Sequence, residues 1–252
     1  MTEDDFNQSL VGRAFFTYVE YLGELTNFLL HFRATSGLVI GVLNVIPKLK
    51  PELEPIDNKQ HHPVLHGLII IGAWSALEAY VGDFCKAAMQ EQPQILDTDA
   101  IRAIKVPISD LLATDSDKPA KILRAIESRF ARSRGVGRFE DVLNHLGLSE
   151  SVPDEIKRQV LMAQKIRNVW SHSAGKADDA FLEGGMFPQF QLGDKVAIGS
   201  DDANLNISTL MMYGNIITNR WRIKIGLDPL TAPDKAPFKD VYDRIYLTPP
   251  GT

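Results

Sequence analysis

Cysteine is nearly absent: the 252 residues contain one, Cys85. A single thiol closes no intramolecular disulfide and cannot supply a zinc site built on several thiolates, so the chain reads as a protein of a reducing compartment. Long apolar runs are missing as well. "GLVIGVLNVI", 37–46, falls short of the roughly 20 residues that a bilayer demands, and "VLHGLIIIGAWSALEAYV", 64–81, carries His66 and Glu78. Both read as buried helices, and no membrane partner is expected. The opening "MTEDDFNQSL" is acidic where a secretory leader would be basic, and no apolar core with a cleavage site follows; a cytoplasmic location is expected. No glycine-rich phosphate loop is present, since "GVG" at 135–137 suits a turn between helices. No excess of positive charge exists either. With 27 basic against 32 acidic residues the net charge is −5, which excludes a wholesale polyanion binder but not a local basic patch.

What is present is a helical pattern in a chain that is 44% hydrophobic and 23% charged, long enough to bury a core. Leu10, Ala14, Tyr18, Tyr21, Leu25, Phe28 and Phe32 recur at three and four residues, which predicts one amphipathic helix over 5–33. Ser36-Gly37 should end it, and a second helix should run over 37–46. The proline- and charge-rich stretch after Pro47 reads as a loop. From Val64 to about Glu91 a helix apolar nearly all round is a central one. Further helices are expected at 99–113, 119–133 and 138–147. "SVPDEIKRQVLMAQKIRNVWSHSAG" reads as a helix with Ser151 as N-cap and Gly175 as its stop. "FPQFQLGDKVAIGS" alternates around Gly193-Asp194 as a short β-hairpin would, and a helix capped at Ser200 or Asp201 follows. Five prolines after Leu227 predict an extended or loosely docked tail. The fold class is therefore all-α with a hairpin insert. It divides into helices and loop at 1–60 that pack on the bundle or at a dimer interface, a helical domain at 61–226 and a tail at 227–252.

Charge is polarised along the chain. Lys118 to Arg138 holds seven basic residues and one acidic residue, whereas Gly175 to Asn206 is strongly acidic. Between them lies "KIRNVWSHSAG", Lys165 to Gly175. At about 100° per residue, Arg167, Ser171, Gln164, Asn168 and His172 fall on one side of the helix, while Met162, Ala163, Ile166, Val169 and Trp170 fall on the other. Imidazole exchanges a proton near neutrality, guanidinium offers a planar fork of donors to phosphate oxygens, and an amide or hydroxyl orients either. That combination suits phosphoryl chemistry. The same residues would also arise from the preference for cations at a helix C-terminus.

"RNVWSH" followed by "SAG" resembles the signature of the HEPN superfamily. "AWSALEAYVGDF", 73–84, looks like that family's central helix, and "RFEDVLNHLGL", 138–148, looks like a segment often seen before its motif helix. "DDAFLEG" and the stretch from Leu192 to Ile217 are similar to the insert and last helix of stand-alone members from defence and toxin systems. The resemblance covers roughly 64–222. It implies an HEPN-like helical bundle and a metal-independent RNA endonuclease that leaves 2′,3′-cyclic phosphate and 5′-hydroxyl ends. His172 would be general base or acid, Arg167 would stabilise the phosphorane, Asn168 would position the histidine or a phosphate oxygen, and Ser171 would support them. It further implies a homodimer with a composite active site. Glu78, an acid among apolar helix neighbours, would support the site by pairing with Arg167. Arg129, Arg132, Arg134 and Arg138 would attract the RNA backbone.

No cofactor or metal is expected. His62 and His66 are four apart, but no nearby thiolate or carboxylate completes a set, and Cys85 reads as a core thiol. In family members silenced by nucleotidyl transfer, a tyrosine follows the histidine by two residues; Ala174 stands here. This leaves a protein inhibitor, a phage trigger or autoinhibition as control of a toxin or abortive-infection effector. The alternative is a non-catalytic HEPN-like dimer that binds RNA, a nucleotide or a protein. A third reading makes the polar arc a purely structural dimer interface.

Overall fold

The computed structural model describes residues 1–45, 62–104, 118–129 and 133–246, with side chains left out at 36–45 and at Arg129. The loop expected after Pro47, most of the helix expected at 99–113, and Arg132 lie outside them.

Among the described residues the fold is all-α. Helix α1 (Glu3–Gln8) opens with a capping box: Thr2 Oγ1 accepts from the Asp5 amide at 3.1 Å, and the Asp5 carboxylate accepts from the Thr2 amide at 2.9 Å. Ser9 then leaves helical geometry at ψ 162°, and its hydroxyl accepts from the Gly12 amide at 2.9 Å, which starts α2 (Leu10–Val45). The expected helix over 5–33 is thus broken near its start. The expected break at Ser36-Gly37 does not occur, and the backbone stays helical to Val45. An interior glycine costs only about 1 kcal/mol, whereas a serine that satisfies an orphan amide actively starts a new helix.

Helix α3 (Pro63–Glu91) is the central element, flanked by α2, by α7 (Asp154–His172) and by α9 (Ser200–Lys224). By length and mean hydropathy of 1.6 it could cross a membrane, and half of its most apolar window is buried in the bundle. Aromatic groups lock this layer. Tyr18 of α2 stacks on Tyr80 of α3 at 4.7 Å and donates to the Leu210 carbonyl at 2.7 Å, while Tyr80 meets Thr218 at 2.7 Å. Helices α4 (Asp99–Arg102), α5 (Lys118–Arg129) and α6 (Gly137–His145) complete the end near α3.

Three local expectations are corrected around α7, α9 and the insert. Pro153, not Ser151, is the N-cap of α7, with φ −56° and ψ 142°, because a proline already has the φ that a helix start needs. Gly199, not Ser200 or Asp201, caps α9, and the Asp202 carboxylate accepts from its amide at 3.4 Å. No hairpin forms among the described residues of the insert. A single bridge pairs Lys176 with Lys195, after α8 (Asp179–Leu182) has turned the chain. The aromatic residues expected to alternate along a strand form a knot instead: Phe181 stacks on Phe187 at 4.3 Å and meets Phe190 edge-on.

As far as Tyr246, the tail is not loosely docked. Residues 239–246 form α10 (Lys239–Tyr246), and Tyr242 is fully buried, accepting from Asn219 Nδ2 at 2.6 Å and donating to the Leu230 carbonyl at 2.8 Å. A proline-rich composition limits helix length but does not prevent one buried tyrosine from anchoring a segment. Phe6 of α1 and Tyr242 of α10 belong to one continuous apolar core.

Candidate active site

The motif helix α7 is held by its apolar face, by Trp170 and by two polar anchors, Lys165 and Arg167. Ile156, Val160, Ala163, Ile166 and Val169 are buried, as the wheel requires. Trp170 is clamped between two glycines. A Cβ at Gly67 of α3 would lie 2.3 Å from its ring, and one at Gly175 would lie 2.8 Å from it. The Lys195 ammonium sits 4.4 Å from the ring centre. The helix ends at His172, three residues before the expected stop: Ala174 already takes a left-handed φ of +50°, and Gly175, at φ +76°, donates its amide to the Val169 carbonyl at 3.0 Å.

Lys165 is buried and donates to three backbone carbonyls, those of Ala180, Phe181 at 3.2 Å and Glu183 at 2.8 Å. Burial pushes its pKa below the usual lysine value, with the nearby Glu183 acting the other way. The ammonium thus closes the C-terminal end of α8 and ties it to α7.

Arg167 and Glu78 approach at 3.7 Å, each 25% exposed. Glu78 accepts a closer bond from Arg138 of α6 at 2.7 Å. Two guanidinium groups therefore share the Glu78 carboxylate, and Glu127 lines the same small cavity as Glu78 and Arg138. Arg138, expected among the basic residues that attract RNA, joins α6 to the Glu78 carboxylate and keeps its side chain 42% exposed. Arg134 is exposed and paired with Glu183. Arg167 also donates to Asn168 Oδ1 at 3.1 Å, and its Nε is buried with no acceptor among the described residues.

His172 and Ser171 are exposed in the last turn. His172 faces a cavity of about 260 Å³ that is also lined by Lys165, Asn168, Val169, Asp178, Ala180 and Phe181. Asp178 is held stiffly there: one carboxylate oxygen accepts from the Phe181 amide and the other from the Ser173 hydroxyl, both at 2.8 Å. Arg167 does not line this cavity. Asn168, bonded to the one and lining the other, links the arginine cluster to the imidazole. Within one chain Arg167 faces α3, and His172 faces the segment that carries α8.

Other candidates resolve into structure. His66 Nδ1 donates to the Ile198 carbonyl at 2.6 Å, and Nε2 lies 3.3 Å from the Ser200 hydroxyl, so this imidazole pins α3 to the start of α9. No group of three or more metal-ligating side chains occurs among the described residues. Cys85 is fully buried, and burial pushes its thiol far above the ordinary value. A larger groove of about 680 Å³ runs between α2 and α3, away from His172, past Tyr18, Tyr21, Gly72 and Ala79. Its acid, Asp83, is already paired with Lys86 at 2.6 Å.

Sequence reasoning missed Arg138 as a partner of Glu78, and it missed Lys165 and Asp178. The first contact spans 60 residues and leaves no periodic signal. The other two could have been found by asking where a lysine on the buried arc would send its charge, and which residue caps "DAFL". Comparison with protein-family models, with curated proteins and with solved structures found no match.

Proposed function

We propose that the chain is a metal-independent RNA endonuclease of HEPN type that acts as a homodimer, in the cytoplasm, as a toxin or phage-defence effector. The observation that carries this reading is the division of labour on α7. Arg167 is fixed beside Glu78, Asn168 is fixed beside Arg167, and His172 stands exposed over a cavity one turn beyond Asn168. In the reaction, one His172 imidazole removes the proton of a ribose 2′-hydroxyl. The 2′-oxygen bonds to phosphorus, and the bond from phosphorus to the 5′-oxygen breaks. That oxygen leaves with a proton from a second acid, for which the His172 of a second copy is the candidate. Arg167 meets the charge that grows on the non-bridging oxygens. No step requires a metal or cofactor.

Purified protein incubated with total RNA in EDTA tests the reading. Wild type should cut and leave cyclic phosphates, while His172→Ala and Arg167→Ala should lose about 10²-fold or more in rate. RNA left intact by folded wild-type dimer favours the non-catalytic RNA-, nucleotide- or protein-binding module instead. The separation of Arg167 from the His172 cavity within one chain supports that second reading if no dimer forms. A contribution of Arg129, Arg132 and Arg134 to backbone binding predicts a steep salt dependence, and unchanged affinity in the triple alanine variant removes it.

A further inference from the structure

We infer that the cavity beside His172 is a nucleobase subsite that selects guanine. The inference rests on the nuclease reading only for its location next to the scissile phosphate, not for the recognition itself. Three observations carry it. The first is size: at about 260 Å³ the cavity lies below the ~300–1,000 Å³ typical of sites for larger ligands, and it suits one ring system. The second is its lining. Val169 and Phe181, both 1% exposed, close its floor without offering a stacking face, so the surface left for a flat ring is the exposed His172 imidazole.

The third is the pattern of donors and acceptors. The guanidinium of Arg167 can only donate, so the atom of Asn168 that meets it at 3.1 Å is the carbonyl oxygen, and the Nδ2 group is turned away. Among the described residues Nδ2 has no acceptor. Asp178 is the opposite case. Each of its oxygens accepts one bond from the protein and keeps a second lone pair. The wall therefore presents a carboxylate acceptor and an amide donor, while the Lys165 ammonium that also lines it is spent on three backbone carbonyls. Guanine is the base that answers both, with N1–H and N2–H donors for the carboxylate and O6 as acceptor for the amide. Adenine would turn its N1 lone pair toward the carboxylate, uracil offers one N–H between two carbonyls, and cytosine offers one amino group beside two acceptors.

The test separates base selection from catalysis. Calorimetric titration of the wild-type dimer with guanosine, adenosine, cytidine and uridine 3′-monophosphates should show the guanosine nucleotide bound at least 10-fold more tightly than the others. Inosine 3′-monophosphate, which lacks the N2 amine, should lose part of that preference. Asp178→Asn keeps a good helix cap through its remaining oxygen but replaces an acceptor with a donor, and it should abolish the preference. Asn168→Ala, on an exposed side chain, should reduce it and stands in if Asp178→Asn does not fold. Equal affinity for the four nucleotides, no binding at millimolar concentration, or a preference that survives both substitutions overturns the inference. Cleavage that depends on His172 but shows no bias for guanosine at the cut removes the subsite and keeps the nuclease. Guanosine-selective binding without cleavage keeps the subsite and removes the nuclease.

Discussion

Adding one methyl group at Gly67 tests the contact that fixes the end of the motif helix. The new Cβ would lie 2.3, 2.6 and 2.7 Å from Cδ2, Cγ and Cε2 of Trp170. Carbon atoms rest at about 3.5–4.0 Å, so the indole and α3 must part by more than about 1 Å. Retreat is blocked, because the far edge of the same ring lies against Gly175, where a Cβ would be only 2.8 Å away. Overpacking of this depth costs about 3 kcal/mol, while alanine in a helix interior returns about 1 kcal/mol relative to glycine. Gly67→Ala should therefore destabilise the protein by about 2 kcal/mol in urea unfolding followed by far-ultraviolet circular dichroism. The loss should be smaller in a Trp170→Leu background, and the double-mutant cycle should give a coupling of about 1–2 kcal/mol. A Gly67→Ala protein that gains about 1 kcal/mol, as helix propensity alone dictates, would refute the clamp.

Glu78→Gln removes the charge that two arginines share. Since all three groups are partly exposed, stability should change by less than about 1 kcal/mol, while RNA cleavage, if Arg167 serves the phosphate, should fall by about 10-fold or more because the guanidinium loses its anchor; unchanged turnover would detach Glu78 from the site. Lys165→Met leaves the carbonyls of Ala180, Phe181 and Glu183 without their shared donor and should cost about 3 kcal/mol in the same unfolding assay, with a near-neutral result showing that water replaces the ammonium. Glu3 is held below the usual carboxylate value of 4.5, chiefly by its hydrogen bonds from the buried Arg222. A depressed pKa means that its stabilisation is complete above 4.5 and is lost as pH falls through the lower folded value. The gap in melting temperature between wild type and Glu3→Gln should then be present at pH 7 and close in acid, and a gap that persists at low pH would assign the effect to packing on Phe6 rather than to charge.

The elements easiest to read from the sequence were those whose own pattern carries their burial. Helix α3 is apolar over most of its surface and was bounded to within a residue at its start, because Pro63 and the apolar run after it need no partner to be recognised. The end of α7 was legible to within three residues, since Gly175 takes the φ of +76° that favours glycine, although the left-handed turn already begins at Ala174. The errors fall where two local preferences compete and tertiary contact decides. The aromatic residues of the insert alternate as a strand does, yet Phe181, on a different element, offers Phe187 a stacked partner, and the hairpin is lost. Prolines after Leu227 promise an open tail, yet Asn219 of α9 holds both the Leu230 backbone and the Tyr242 hydroxyl.

The candidate site follows the same rule at the level of single side chains. A helical wheel gathers Arg167, Asn168 and His172 on one arc, but it cannot say which way each will turn. Direction comes from groups off the helix: Glu78, remote in sequence, draws Arg167 toward α3, and the segment just after α7 that carries Asp178 builds a cavity in front of His172. The polar arc is thus divided between a half-buried cluster with its geometry set and an exposed last turn. Lys165, Trp170 and Arg167 hold α7 against its neighbours on three sides, while His172 has no hydrogen-bond partner among the described residues. An imidazole in such a place can reorient without disturbing the helix that carries it. The clamp at Trp170, two residues before it, sets how far that freedom extends. On the nuclease reading, Gly67→Ala should therefore lower the rate of cleavage more than it lowers RNA affinity, because the displaced group is the imidazole and not the basic surface.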